Sequence, residues 1–110
     1  MLNKIEEFIT GLGVWNHAFI ASIGMWPMAV LIHLANGMSW ISAVWVAHLL
    51  WSFGYFMKEQ GTSQYGTNLT EFEALDPRNW KKIDRDQTIL VWVVTFALNL
   101  FNSLITLTLF

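Results

Sequence analysis

Two long stretches of this chain carry no formal charge, and they limit its fold more than any other feature. Residues 8–57 contain no Asp, Glu, Lys or Arg, and neither do residues 87–110. A small water-soluble domain shows charge on every exposed face, so stretches of this length need an apolar solvent, which is lipid. Composition agrees: 55% of residues are hydrophobic and 13% charged, against a charged fraction of about 25% in ordinary globular domains. The net charge of −2 supplies no basic field, so nucleic acid is not an expected partner. The chain has no cysteine, which removes disulfides, thiolate metal sites and cysteine nucleophiles from consideration.

The expected architecture is an all-α integral membrane protein. Residues 1–10 read as a short interfacial amphipathic helix, with Leu2, Ile5, Phe8 and Ile9 on one face and Lys4, Glu6 and Glu7 elsewhere. Residues 11–57 read as a transmembrane helical hairpin, with spans over 11–34 and 39–57 joined at the Asn36-Gly37 turn. Nineteen positions at 1.5 Å rise cover roughly 28 Å, close to the hydrocarbon thickness. Pro27 is expected to kink the first span by freeing the Ile23 carbonyl. Residues 58–87 form a polar loop with short helices. Thr70 and Glu73 have capping-box spacing for a helix ending near Leu75, and Asp76-Pro77 restarts a helix through Trp80. Residues 88–110 are the third transmembrane helix.

Charge then orients the chain. Three spans put residues 1–10 and the 58–87 loop on one side, which gathers all six basic residues there. The positive-inside rule makes that side cytoplasmic and the C-terminus external.

The third span carries the most informative pattern. Thr88, Thr95, Asn99, Asn102 and Thr106 make one polar stripe on a helix that is otherwise Val, Leu, Ile and Phe. An amide facing lipid leaves its donors and acceptors unsatisfied, so the stripe should face protein or a water-filled lumen. On the second span Ser39, Ala43, Ala47 and Gly54 form a small-residue strip that permits close helix packing, matched on the first span by Ala18, Ser22 and Ala29. Such packing predicts self-association or contact with other membrane subunits. Trp15, Tyr65 and Trp80 are candidate membrane-interface anchors among seven tryptophans and two tyrosines.

His17, His33 and His48 are the candidate ligands for a chlorophyll-type pigment or haem, imidazole being a common axial ligand. A hairpin folded at Asn36-Gly37 puts the three at different depths, so the expectation is hydrogen-bonding histidines and no cofactor. The pigment or haem subunit of a photosynthetic or respiratory complex is the alternative. No nucleophile–base pair, paired carboxylate within a span or phosphate-binding glycine loop is present, and no metal site is expected. The chain reads as non-enzymatic.

The C-terminal half also resembles a group of small phage-encoded three-span membrane proteins. The resemblance rests on Tyr55-Phe56-Met57-Lys58-Glu59-Gln60, then Tyr65-Gly66, then Asp76-Pro77-Arg78-Asn79-Trp80, then a span from Ile89. It implies a viral membrane protein in a bacterial inner membrane or a virion membrane, beside other virion subunits, some of the group being termed holin-like. The reading that follows is a non-enzymatic structural or scaffold protein that packs or oligomerises in the bilayer and presents its 58–87 loop to an aqueous partner, with a holin-like permeability protein as the alternative. The chain departs from the usual three-span holin, whose C-terminus is charged and cytoplasmic.

Overall fold

The computed structural model describes residues 2–66 and 69–109, residues 63–66 by their backbone alone. All regular structure among them is helical: α1 (Leu2–Gly11), α2 (Asn16–Asn36), α3 (Trp40–Gly66), α4 (Glu71–Ala74) and α5 (Lys82–Leu109). Three helical segments, Gly13–Asn36, Trp40–Thr62 and Lys82–Leu109, are long and apolar enough to cross a membrane. They pack mutually as a three-helix bundle, with α3 touching both α2 and α5 and α2 touching α5.

Glycine sets both sharp turns. Gly13 at φ 61° opens a single 3-10 turn, Gly13–Trp15, that swings α1 away from α2. Gly37 at φ 65° ends α2 in the left-handed conformation, its N–H bonded to the His33 carbonyl at 3.1 Å. A side chain at either position would strain the backbone. Ser39 then starts α3 by accepting the Ser42 N–H on its Oγ at 3.3 Å. Ser39, expected in the packing strip, is therefore an exposed helix cap. α2 runs unbroken past Pro27.

Helices and uncharged stretches do not coincide. α3 continues beyond residue 57 to Gly66, and α5 begins at Lys82, six residues before the expected third span. Charge marks where lipid stops, whereas a helix stops only where its backbone is interrupted. Nothing between Met57 and Gly61 interrupts it, and Asp84 in the first turn of α5 suits the helix dipole.

Helix α4 has its capping box: Glu73 N–H bonds Thr70 Oγ1 and Thr70 N–H bonds Glu73 Oε1, each at 3.2 Å. Asp76 caps a 3-10 turn, Pro77–Asn79, accepting the Arg78 N–H at 3.0 Å. The helix does not restart through Trp80. That residue is extended, with its indole N–H bonded to the Ala74 carbonyl at 2.6 Å and its ring 5.1 Å from Phe56. Trp80, a candidate interface anchor, is 5% exposed and pins the 69–80 cap onto α3. Trp15 is half-exposed, and the Tyr65 side chain lies outside the described residues.

The core between α2 and α3 is built on Met25 and Ala29 against Ala43, Val44 and Ala47, all fully buried. The buried strip on α2 is Ala18, Ala21, Met25 and Ala29, so Ala21 takes the place expected of Ser22. Gly54 does not take part in the α2–α3 contact, since a Cβ there would meet nothing within 4 Å. The close approach occurs at Gly24, where a Cβ would fall 2.3 Å from the Trp51 ring.

Candidate functional site

The polar residues of the three long helices converge into the bundle in two groups. The first is a seam along α5. Its inward face is Gln87, Val91, Thr95 and Asn99, all buried at four-residue steps, with Asn102 following. Near the α2–α3 turn, Trp40 Nε1–H donates to Asn102 Oδ1 at 2.9 Å and Trp45 Nε1–H to Ser103 Oγ at 3.2 Å. Deeper in, His48 Nδ1 lies 2.7 Å from Thr95 Oγ1. The Thr95 hydroxyl donates to the Val91 carbonyl of its own helix at 2.6 Å. Its oxygen must therefore accept the His48 Nδ1–H, which fixes the tautomer by donor count. Asn99 Nδ2 bonds only the Thr95 carbonyl, at 3.1 Å. Asn99 Oδ1, Asn102 Nδ2 and Trp51 Nε1 are buried without a hydrogen-bond partner among the described residues.

Thr95 meets His48 of α3, and Thr95 and Asn99 are both fully enclosed by the described residues of one chain. Thr88 leaves the seam: its hydroxyl bonds the Asp84 carbonyl of its own helix at 2.9 Å. Thr106 is partly buried one turn beyond Asn102.

The second group closes the charged end of the bundle. Glu59, 2% exposed, holds Lys58 Nζ at 3.3 Å on a carboxylate oxygen that lies 3.4 Å from His17 Nε2. His17 Nε2 also lies 3.2 Å from Lys58 Nζ, and its ring packs on Tyr55 at 4.7 Å. Gln87 Nε2 donates to Asn16 Oδ1 at 3.0 Å, tying α5 to α2. Such a cluster satisfies a carboxylate that would otherwise be buried unpaired at high cost.

Each histidine thus serves a different level. His17 joins the charged end, His48 the middle of the seam, and His33 donates to the Met38 carbonyl at 2.5 Å across the turn. The His48 ring is boxed by Trp45, Trp92 and Phe96, each centroid 5.9 Å away, so a tetrapyrrole beside it would need volume those rings fill. Among the described residues no three His, Asp or Glu side chains are grouped to hold a metal ion.

Sequence reasoning missed Asn16, Glu59, Gln87 and Ser103. Glu59 lies eleven positions after His48, three turns at about 3.6 residues each, so extending α3 past residue 57 puts it on the buried face. Gln87 is one further step of four before Val91.

On the cap surface, Arg78 forms a two-pronged pair with Asp76, at 2.7 and 3.1 Å. The Arg78 side-chain bonds, then its backbone N–H, hold the Asp76 carboxyl below the usual carboxylate range. Phe72 stands 86% exposed between Glu71 and Glu73. Protein-family models, curated proteins and solved structures offer no match to the chain.

Proposed function

We propose that the chain is a non-enzymatic integral membrane protein of structural or scaffold role, whose bundle anchors it and whose cap engages an aqueous partner. The observation that carries this reading is the contrast between the two ends of its chemistry. Polar groups in the spans are spent on holding α3 to α5, while the cap is clamped by Trp80 and displays an exposed Phe72 between two glutamates. An exposed aromatic on a rigid mount is the usual anchor of a protein interface, and the acidic flanks favour a basic rim around the partner's pocket. The bundle axis, filled by Met25, Ala29, Ala43 and Val44, supports anchoring over conduction. On the resemblance of residues 55–80 we assign it to the phage membrane group, with the cap on the cytoplasmic side by the positive-inside rule.

The test is reconstitution of the purified chain in ion-loaded liposomes, with a photo-crosslinking side chain replacing Phe72 in cells. Tight liposomes and a crosslink to protein are expected. An ion leak abolished by Asn99→Leu with Asn102→Leu would replace the scaffold reading with the holin-like one. A crosslink to lipid alone would remove the partner-binding role of the cap.

A further inference from the structure

Two apolar grooves adjoin on the flank of the bundle. One, of about 480 Å³, lies between α2 and α3 and runs from Met28 and Leu50 past Gly54 to Tyr55 and Lys58. The other, of about 680 Å³, lies in the angle between α1 and α2, beneath Ile5 and Phe8 and along Ile23, with Lys4 lining it. Ile20 and Trp51 line both, so they form the ridge between them. Both volumes fall within the range typical of small-molecule sites, about 300–1,000 Å³.

We propose that the pair of grooves binds one diacyl phospholipid with an anionic headgroup, an acyl chain in each groove astride Ile20 and Trp51, and the phosphate drawn by Lys4 and Lys58. The pairing of grooves matches two tails better than a single-tailed amphiphile. Two glycines shape it: Gly24 lets the Trp51 ring lie directly on α2, and Gly54 leaves open space where a side chain would fill the first groove. The lysines come from α1 and from the charged end of α3, the end where headgroups lie. An ammonium has three N–H donors. Lys58 directs its Nζ towards Glu59 Oε1 and His17 Nε2, leaving one donor for a phosphate oxygen, and its side chain is 57% exposed. Lys4 has no ion-pair partner among the described residues.

A surface lysine near an anionic headgroup contributes about fivefold in affinity. Lys58 shares its charge with Glu59 and contributes about twofold by the same reasoning, which together gives a preference of about tenfold for an anionic over a zwitterionic lipid. Native mass spectrometry of the full chain, delipidated in mild detergent and offered dioleoyl phosphatidylglycerol or dioleoyl phosphatidylcholine, measures it. One phosphatidylglycerol retained per chain with that preference is expected. Lys4→Gln, on an exposed helix where folding is not at stake, should reduce the preference about fivefold. Gly54→Leu should lower retention of both lipids, and millimolar inorganic phosphate should displace neither. Equal retention of the two lipids, or displacement by phosphate alone, would overturn the proposal. An altered oligomeric state in Gly54→Leu with unchanged lipid retention would instead assign the grooves to a second copy of the chain.

Discussion

Replacing Thr95 by valine isolates the central bond of the α3–α5 seam with almost no change in volume. The Thr95 hydroxyl is spoken for on its donor side by the Val91 carbonyl, and its oxygen accepts the His48 Nδ1–H at 2.7 Å. Both side chains are closed off from solvent, at 0% and 1% exposure. In the variant the imidazole N–H has only Ser52 Oγ within reach, at 3.5 Å, too long for a good bond. An orphaned buried donor costs about 1–3 kcal/mol in a protein interior, while interhelical bonds measured in membranes average about 0.6 and reach about 1.7 kcal/mol. Enclosure by three aromatic rings places this site towards the upper end of the membrane range, so Thr95→Val should destabilise by about 1–1.5 kcal/mol. In a His48→Leu background the same change should cost almost nothing, because only the own-helix bond remains to be lost. Reversible unfolding in mixed detergent micelles, followed by tryptophan fluorescence, gives the four corners of this cycle. A coupling below about 0.3 kcal/mol, the scatter of unconnected sites, would refute the hydrogen-bond assignment.

Gly24→Val drives a side chain into Trp51, whose ring lies 2.3 Å from the would-be Cβ; the expected loss is about 1–3 kcal/mol, and Trp51→Leu in the same chain should recover most of it in the same unfolding assay. Asn102→Leu removes the acceptor of the Trp40 indole and should cost about 0.5–2 kcal/mol. Asn99→Leu deletes an own-helix bond together with an orphaned oxygen and should stay within about 0.5 kcal/mol of the parent; equal losses at the two sites would contradict the seam geometry. The Asp76 carboxyl is depressed in the folded cap by Arg78, so its contribution is present above the unfolded value, about pH 4, and is lost as pH falls through the folded one. The protection of the residue 78–80 amides against exchange, taken relative to their intrinsic rates, should therefore fall on acidification below that point, and Asp76→Asn should abolish that component.

The long apolar helices, the glycine turn at Asn36-Gly37 and the capping box at Thr70 were legible because each is a local property of the chain. The seam on α5 was legible as a face but not as a contact. Periodicity fixes which residues share a side of a helix, and the choice of Asn102 for Trp40 depends on the register of α3, which no local pattern encodes. Small residues show the same limit. Ala43 and Ala47 meet α2 while Gly54 does not, and Gly24 becomes the close-approach point only because Trp51 happens to lie opposite. Glu59 was hidden for another reason: charge assigned it to the aqueous loop, whereas α3 runs on through it with its carboxylate turned inward. The Trp80 clamp was not legible because tryptophan at a membrane boundary serves an interface and a buried clamp equally well.

Two of the bundle's joints are made by different forces. In the core, helices α2 and α3 meet through alanines and a methionine, a joint of packing that tolerates substitution of like volume, and only at the charged end does the His17–Lys58–Glu59 cluster add directed contacts among the described residues. Helix α5 is held to α3 by directed bonds from Trp40, Trp45 and His48, at several levels along the bundle. In lipid, where apolar surface gains nothing by meeting another apolar helix, packing alone would leave α5 free to slide or rotate. The donors on α3 remove that freedom, because a rotation that lost one acceptor would lose those aligned above and below it. The cap follows from the same constraint. It joins α3 to α5, and Trp80 fixes it to Phe56 of α3, so the register set inside the bundle determines where Phe72 is displayed outside it.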